Sequence, residues 1–234
     1  MGFLKRILRT GTSEDSAQPI PVGSFETLTE DELQTHMAIN RYGAFDLTDA
    51  VRPSYDLQVV PRQGFRFDQY IDDNDGSRTP VIMAAATRRI LMETFMELLD
   101  PLGPVVDVVL ETSHQFGGPQ QDLYREHIDV PVLKSILWEH ENLLLNDGCT
   151  GVAVINPSKR QEVQLDEHKL LIMYGDPLDR FESMLIDSDI YPDNDIQFIT
   201  EAEHVHSSSE RFFDDFSVLK NRLGMDGEDH AGAC

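Results

Sequence analysis

Two histidines stand one residue apart in the stretch 198–216, FITEAEHVHSSSERFFDDF. In an extended strand, residues two apart share a face, so His204 and His206 would present both imidazoles to one ion. Zinc would then need a third protein ligand, and a catalytic site would keep one position open. Asp176 is the expected third ligand, with Cys149 as its rival, because a split βαβ sheet would bring both to the strand end of His204. On the same reasoning His114 is placed at the opposite sheet end, about 25 Å away for strands of eight residues. The expected cofactor is therefore a divalent metal.

The serines and Glu210 have a simpler role. Ser207-Ser208-Ser209-Glu210 fits the Ser-x-x-Glu capping box ahead of Phe212, Phe213, Phe216 and Leu219. His204-x-His206-x-x-x-Glu210 matches part of the first cupin motif, but the flanking glycines and a downstream histidine motif are missing, which excludes a cupin. Around Gly76 a calcium loop fails because its first and last ligand positions are Ile71 and Ile82. Gly-Gly-Pro at 117–119 lacks the Gly-Lys-Ser/Thr of a phosphate loop, and His-Glu-x-x-His is absent. His140 falls on the apolar face of Leu133, Ile136, Leu137 and Leu144, which suits a hydrogen-bonded core histidine. Cys149 in NDGCTG reads as structural, since a nucleophile there would need a lowered pKa and a positioned base.

These residues need elements to carry them. The segment 79–101, TPVIMAAATRRILMETFMELLDP, reads as one helix capped by Thr79, with the stripe Leu91, Phe95, Leu98 and Leu99. Residues 54–60 and 65–71 read as two strands. From 104 on, PVVDVVLET is a buried-type strand. A helix from Asp129 to Gly148 follows, then TGVAVIN as strand, and 162–175 as strand broken near Glu167. A helix capped by Asp176, a strand over 195–204 and a last helix complete the order. That order predicts an α+β fold, a mainly antiparallel sheet with helices on one face and a ferredoxin-like core. The strands near 151 and 163 should pair as a hairpin.

Charge divides the chain further. Acids outnumber bases 42 to 19 over 234 residues, a net of −23. Such a surface opposes binding to nucleic acid, whose phosphates require Lys and Arg. Twelve acids and two bases occupy 176–215, an edge suited to a basic partner. Residues 1–10 invert this pattern: Lys5, Arg6 and Arg9 flank Phe3, Leu4, Ile7 and Leu8 at helical spacing. This segment is expected to dock on a partner protein or to contact a membrane peripherally. Residues 11–30 read as a disordered linker, 31–223 as one domain, and 224–234 as a disordered acidic tail. Two cysteines, Cys149 and Cys234, give no disulfide framework and suit a cytoplasmic setting. Without a complete catalytic motif, the expected function is a non-catalytic interaction or regulatory protein. The alternative is a metal-binding enzyme built on the His-x-His pair.

Overall fold

Alternating apolar residues pair into a seven-stranded sheet in which every ladder is antiparallel. The structure is a computed structural model, described here over residues 23–25, 28–72, 76–114 and 121–225. Its elements in chain order are α1 (Glu30–Met37), β1 (Arg41–Tyr42), β2 (Phe45–Asp46), β3 (Val51–Pro53), β4 (Gly64–Ile71), β5 (Arg78–Ala85) and α2 (Arg88–Leu98). Then follow β6 (Val105–Thr112), β7 (Gln121–Asp129), α3 (Val130–Glu139), α4 (Glu141–Asn146), β8 (Thr150–Asn156) and β9 (Gln161–Leu165). The remainder is β10 (Leu171–Tyr174), α5 (Asp179–Asp187), β11 (His204–His206) and α6 (Glu210–Arg222). The large sheet has the order β4-β5-β10-β9-β8-β6-β7, and β11 pairs with β3 in a separate two-stranded sheet.

The period of two in each strand divides the core. Leu171 and Met173 of β10 join Val152, Val154, Val163 and Leu165 beneath the helices, where Phe95, Leu133, Phe181 and Leu219 are buried. Ile172 and Tyr174 point the other way, onto a smaller cluster with Phe45, Leu47, Ile196 and Phe198. The segments 45–47 and 196–198 therefore cover part of the second face. The expected stripe of α2 is buried throughout, at Leu91, Phe95, Leu98 and Leu99.

The α+β class and the antiparallel sheet are as expected, and β8 and β9 form the expected hairpin, with Val154 opposite Val163. The split βαβ order is not confirmed. The segment near 195–204 adds no strand to the large sheet; β11 begins at His204 and pairs with β3. In its place β4 and β5 extend the sheet beyond β10. Residues 79–101 divide: Val81, Ile82 and the alanines pair with β4 and β10, and the helix starts only after Thr87. Ala-rich sequence has high helix propensity, but two flanking strands supply hydrogen bonds that outweigh it. Residues 54–60 form turns rather than a strand. β7 follows β6 as its antiparallel partner, in a segment whose largely exposed side chains give no apolar run to read. Asp176 does not cap α5, which begins at Asp179. Ser209, not Ser207, caps α6, accepting from the Phe212 amide at 3.4 Å. The docking segment 1–10, most of the linker and the tail from 226 on lie outside the described residues.

Candidate metal centre

The third histidine comes from the loop between β9 and β10. Asp166 shapes that loop: its Oδ1 accepts from the Leu170 amide at 2.8 Å, and Asp166 and Leu170 also share a backbone bond of 3.1 Å. The turn places Lys169 at φ +66° and lifts His168 off the sheet end. The other oxygen of Asp166 accepts from His168 Nδ1 at 2.9 Å. One carboxylate thus closes the loop and orients the imidazole.

His204 and His206 arrive on β11, which is held from two sides. β3 pairs with it, His204 opposite Pro53 and His206 opposite Val51. β3 is itself fixed by Arg52, a buried guanidinium that donates to Met37 O at 2.9 Å and Thr48 O at 2.6 Å. The Ser207 carbonyl accepts from Gly148 at 2.8 Å, and the Ser207 amide donates to Ala50 at 2.8 Å. Gly148 must be glycine: an added Cβ would lie 2.3 Å from Ala50 O and 3.0 Å from both Ser207 N and Ser207 O. The three segments therefore approach as backbone against backbone.

This arrangement gathers three imidazoles. Ring centroids lie 4.9 Å apart for His168 and His204, 4.7 Å for His168 and His206, and 5.2 Å for His204 and His206. One ligating nitrogen from each lies within 4.8 Å of the other two. Every Nδ1 already faces an oxygen acceptor: Asp166 for His168 at 2.9 Å, Ala202 O for His204 at 2.8 Å, Gly148 O for His206 at 2.6 Å. In the neutral form of each ring these acceptors fix the Nδ1–H tautomer, which leaves its Nε2 lone pair free to bind. All three residues are partly exposed, so the cluster reaches solvent.

Protonation follows from burial and partners. Burial pushes His168 down, but the Asp166 carboxylate overrides this and holds it above the usual histidine value. His204 and His206 are lowered, chiefly by burial, with the Ala202 and Gly148 carbonyls opposing. His204 and His206 are therefore biased towards the neutral, metal-binding form, and wherever His168 is protonated that proton must leave as an ion binds. Lys169 beside it is buried, and burial lowers it to about 8 despite Asp147, Asp166 and Glu167. Its ammonium donates to Thr150 O at 2.7 Å. A pocket lined by Phe45, Leu47, Arg62, Lys169 and Phe198 has His168 in its wall.

The structure does not bring Asp176 to this pair. It is exposed beyond the far end of β10, whereas His168 precedes that strand. His114 belongs to the near end, because β6 runs antiparallel to β8 and Thr112 faces Thr150. The expected separation assumed that β11 lay in the large sheet. His140 caps the junction of α3 and α4, its Nδ1 2.9 Å from Ile136 O. Sequence reasoning missed His168 as a ligand. The signal was Asp166-x-His168 in a polar break between two apolar strands, a turn-forming acid two residues before an imidazole. Comparison with protein-family models, curated proteins and solved structures finds no match.

Proposed function

We propose that the protein is a metal-binding enzyme in which His168, His204 and His206 hold one divalent ion of zinc type. The observation that supports this most is the triple pre-orientation of the imidazoles, each with Nδ1 engaged by an oxygen acceptor and Nε2 left as the ligating atom. Structural zinc sites are closed by four protein ligands, whereas three ligands leave a position for water or substrate. Bound there, the ion would supply a water of lowered pKa and polarise a carbonyl or phosphoryl oxygen. The chain's own groups set the rest. Asp166 raises the basicity of the His168 ligand, and the pocket beside His168 offers apolar walls at Phe45, Leu47 and Phe198. Glu167, which accepts from Ser113 Oγ at 3.1 Å, adds negative potential at His168 and His206 and so favours a cation there.

Purification without chelator, followed by elemental analysis, tests the centre. Replacing His204 and His206 together by alanine should lower bound zinc by one equivalent per chain. An unchanged metal content would refute the centre. The charge layout supports a second reading, a non-catalytic interaction protein in which the ion only fastens β11. Azide separates the two: it should shift the visible spectrum of the Co2+-loaded protein if a coordination position is open. No shift would favour the fastening role.

A further inference from the structure

Among the described residues, five buried side-chain polar atoms lack a hydrogen bond of good geometry, and three of them, His114 Nε2, Asp147 Oδ1 and Ser208 Oγ, meet at the Asp147 carboxyl, which burial raises but His114, Ser208 and Thr150 hold below the usual range. A buried polar group without a well-aligned partner is costly, so a cluster of them calls for an explanation. His114 lies at the end of β6, and Asp147 and Cys149 flank Gly148 before β8. His114 Nε2 is 3.0 Å from Asp147 Oδ2, yet it is not aligned as a hydrogen bond. The side chains of His114 and Asp147 are 4% and 0% exposed, and Cys149 is buried. One ligand atom from each of the three residues lies within 4.8 Å of the other two.

We propose that His114, Asp147 and Cys149 form a second, buried site for a thiophilic divalent ion of zinc type. It stands independently of the three-histidine centre, sharing no ligand with it. The donor set of thiolate, imidazole and carboxylate is one that zinc accepts. A thiolate and a carboxylate together cancel the ion's two charges, which makes burial tolerable. The surroundings already orient the ligands. Thr112 Oγ1 is 2.7 Å from His114 Nδ1, and Thr150 Oγ1 donates to Asp147 Oδ2. In the tautomer in which Nδ1–H donates to Thr112, the Nε2 lone pair faces the Asp147 carboxylate, an arrangement that a cation between them relieves. Phe213 and Phe216 of α6 pack on the imidazole at 5.6 and 5.4 Å and exclude water. Ligand atoms around tetrahedral zinc lie about 3.3–3.8 Å apart, so the present set needs only small side-chain adjustments to close on an ion. As the metal–sulfur bond forms, the thiol proton leaves to solvent.

The test uses the full-length chain with Cys234→Ser, which leaves Cys149 as the sole thiol. Loaded with Co2+, it should show a near-ultraviolet thiolate-to-cobalt charge-transfer band. The band should persist in His204→Ala/His206→Ala, and Zn2+ should slow Cys149 alkylation in the Cys234→Ser protein at least tenfold. A folded Cys234→Ser protein with neither the band nor the protection overturns the site. Failure of the three-histidine centre has a different signature, a cobalt content unchanged by the double histidine substitution.

Discussion

The two clusters flank one glycine but are built on different terms. On one side are three imidazoles, partly exposed, each with an oxygen acceptor on its Nδ1, beside a pocket. On the other are a thiol, a carboxylate and an imidazole, buried beneath two phenylalanines. Neutral ligands leave the full charge on an ion, which suits a centre that must activate water. Anionic ligands neutralise the ion and suit one that must stay put. The Cys149 thiol is raised by burial, with Asp147 and Glu167 adding to the shift against Ser113 and Ser208, so without metal it is inert. The difference teaches that one short segment, Asp147-Gly148-Cys149, can serve two chemistries by presenting carbonyl to one side and side chains to the other.

Gly148→Ala should have the largest effect and should abolish the comparison. Its Cβ would collide with Ala50 O and the Ser207 backbone, none of which is the flexible end of a side chain. Overpacking of this kind costs about 1–3 kcal/mol. Relief requires β3, β11 and the 147–149 segment to separate, so both clusters should lose metal along with thermal stability. A variant that keeps two ions would show that Gly148 is not the shared hinge of the two sites.

Asp166→Asn acts on one side only. The amide can still accept from Leu170, so the loop survives, but it cannot replace the carboxylate at His168. Removal of such a partner lowers metal affinity about 10–100-fold. Competition titration with a chromophoric chelator should show that loss at the three-histidine centre, with the Cys149 charge-transfer band unchanged. Equal losses at both would mean that the clusters are not independent.

pH sharpens the same contrast. His168 is raised, so in the apo protein it still carries its proton somewhat above pH 6.5, where an exposed histidine has half lost its own. His204 and His206 are lowered and are neutral there. As pH falls through the raised value of His168, zinc affinity should drop up to tenfold per unit, one proton displaced per ion. Below the lowered values of the other two, the slope steepens towards three protons. In Asp166→Asn the upper break should move down, because the carboxylate that raised His168 is gone. Isothermal titration in buffers of different ionisation enthalpy counts the protons; no release at pH 7 and no break above 6.5 would refute the assignment.

How much of this was legible depends on which interaction decided each element. The β8–β9 hairpin was legible because Val152, Val154, Val163 and Leu165 alternate across a turn. The histidine pair was visible from spacing alone. The placement of β11 was not, since a three-residue strand is decided by its partner β3, some 150 residues earlier. Asp176 looked right only while β11 was assumed to close the large sheet. His168 was hidden because loop ligands have no periodicity; only Asp166, which both closes the turn and accepts from the imidazole, marks it.

The smallest effect should separate the buried cluster from the open one. Ser209 caps α6 through a long bond to Phe212 N, 3.4 Å. Its loss to alanine typically costs about 0.5–2 kcal/mol, and a bond this long belongs at the low end. The first turns of α6 carry Phe213, and Phe216 follows one turn on, both against His114. Fraying there exposes the His114 ring before anything near His168, so Ser209→Ala should lower the melting temperature slightly and speed metal-free alkylation of Cys149. Zinc affinity at the three-histidine centre should not change, because β11 is held by β3 and Gly148 rather than by the helix. Should that affinity fall as well, Ser207 and Ser208 transmit the helix start to β11, and the two clusters form one mechanical unit.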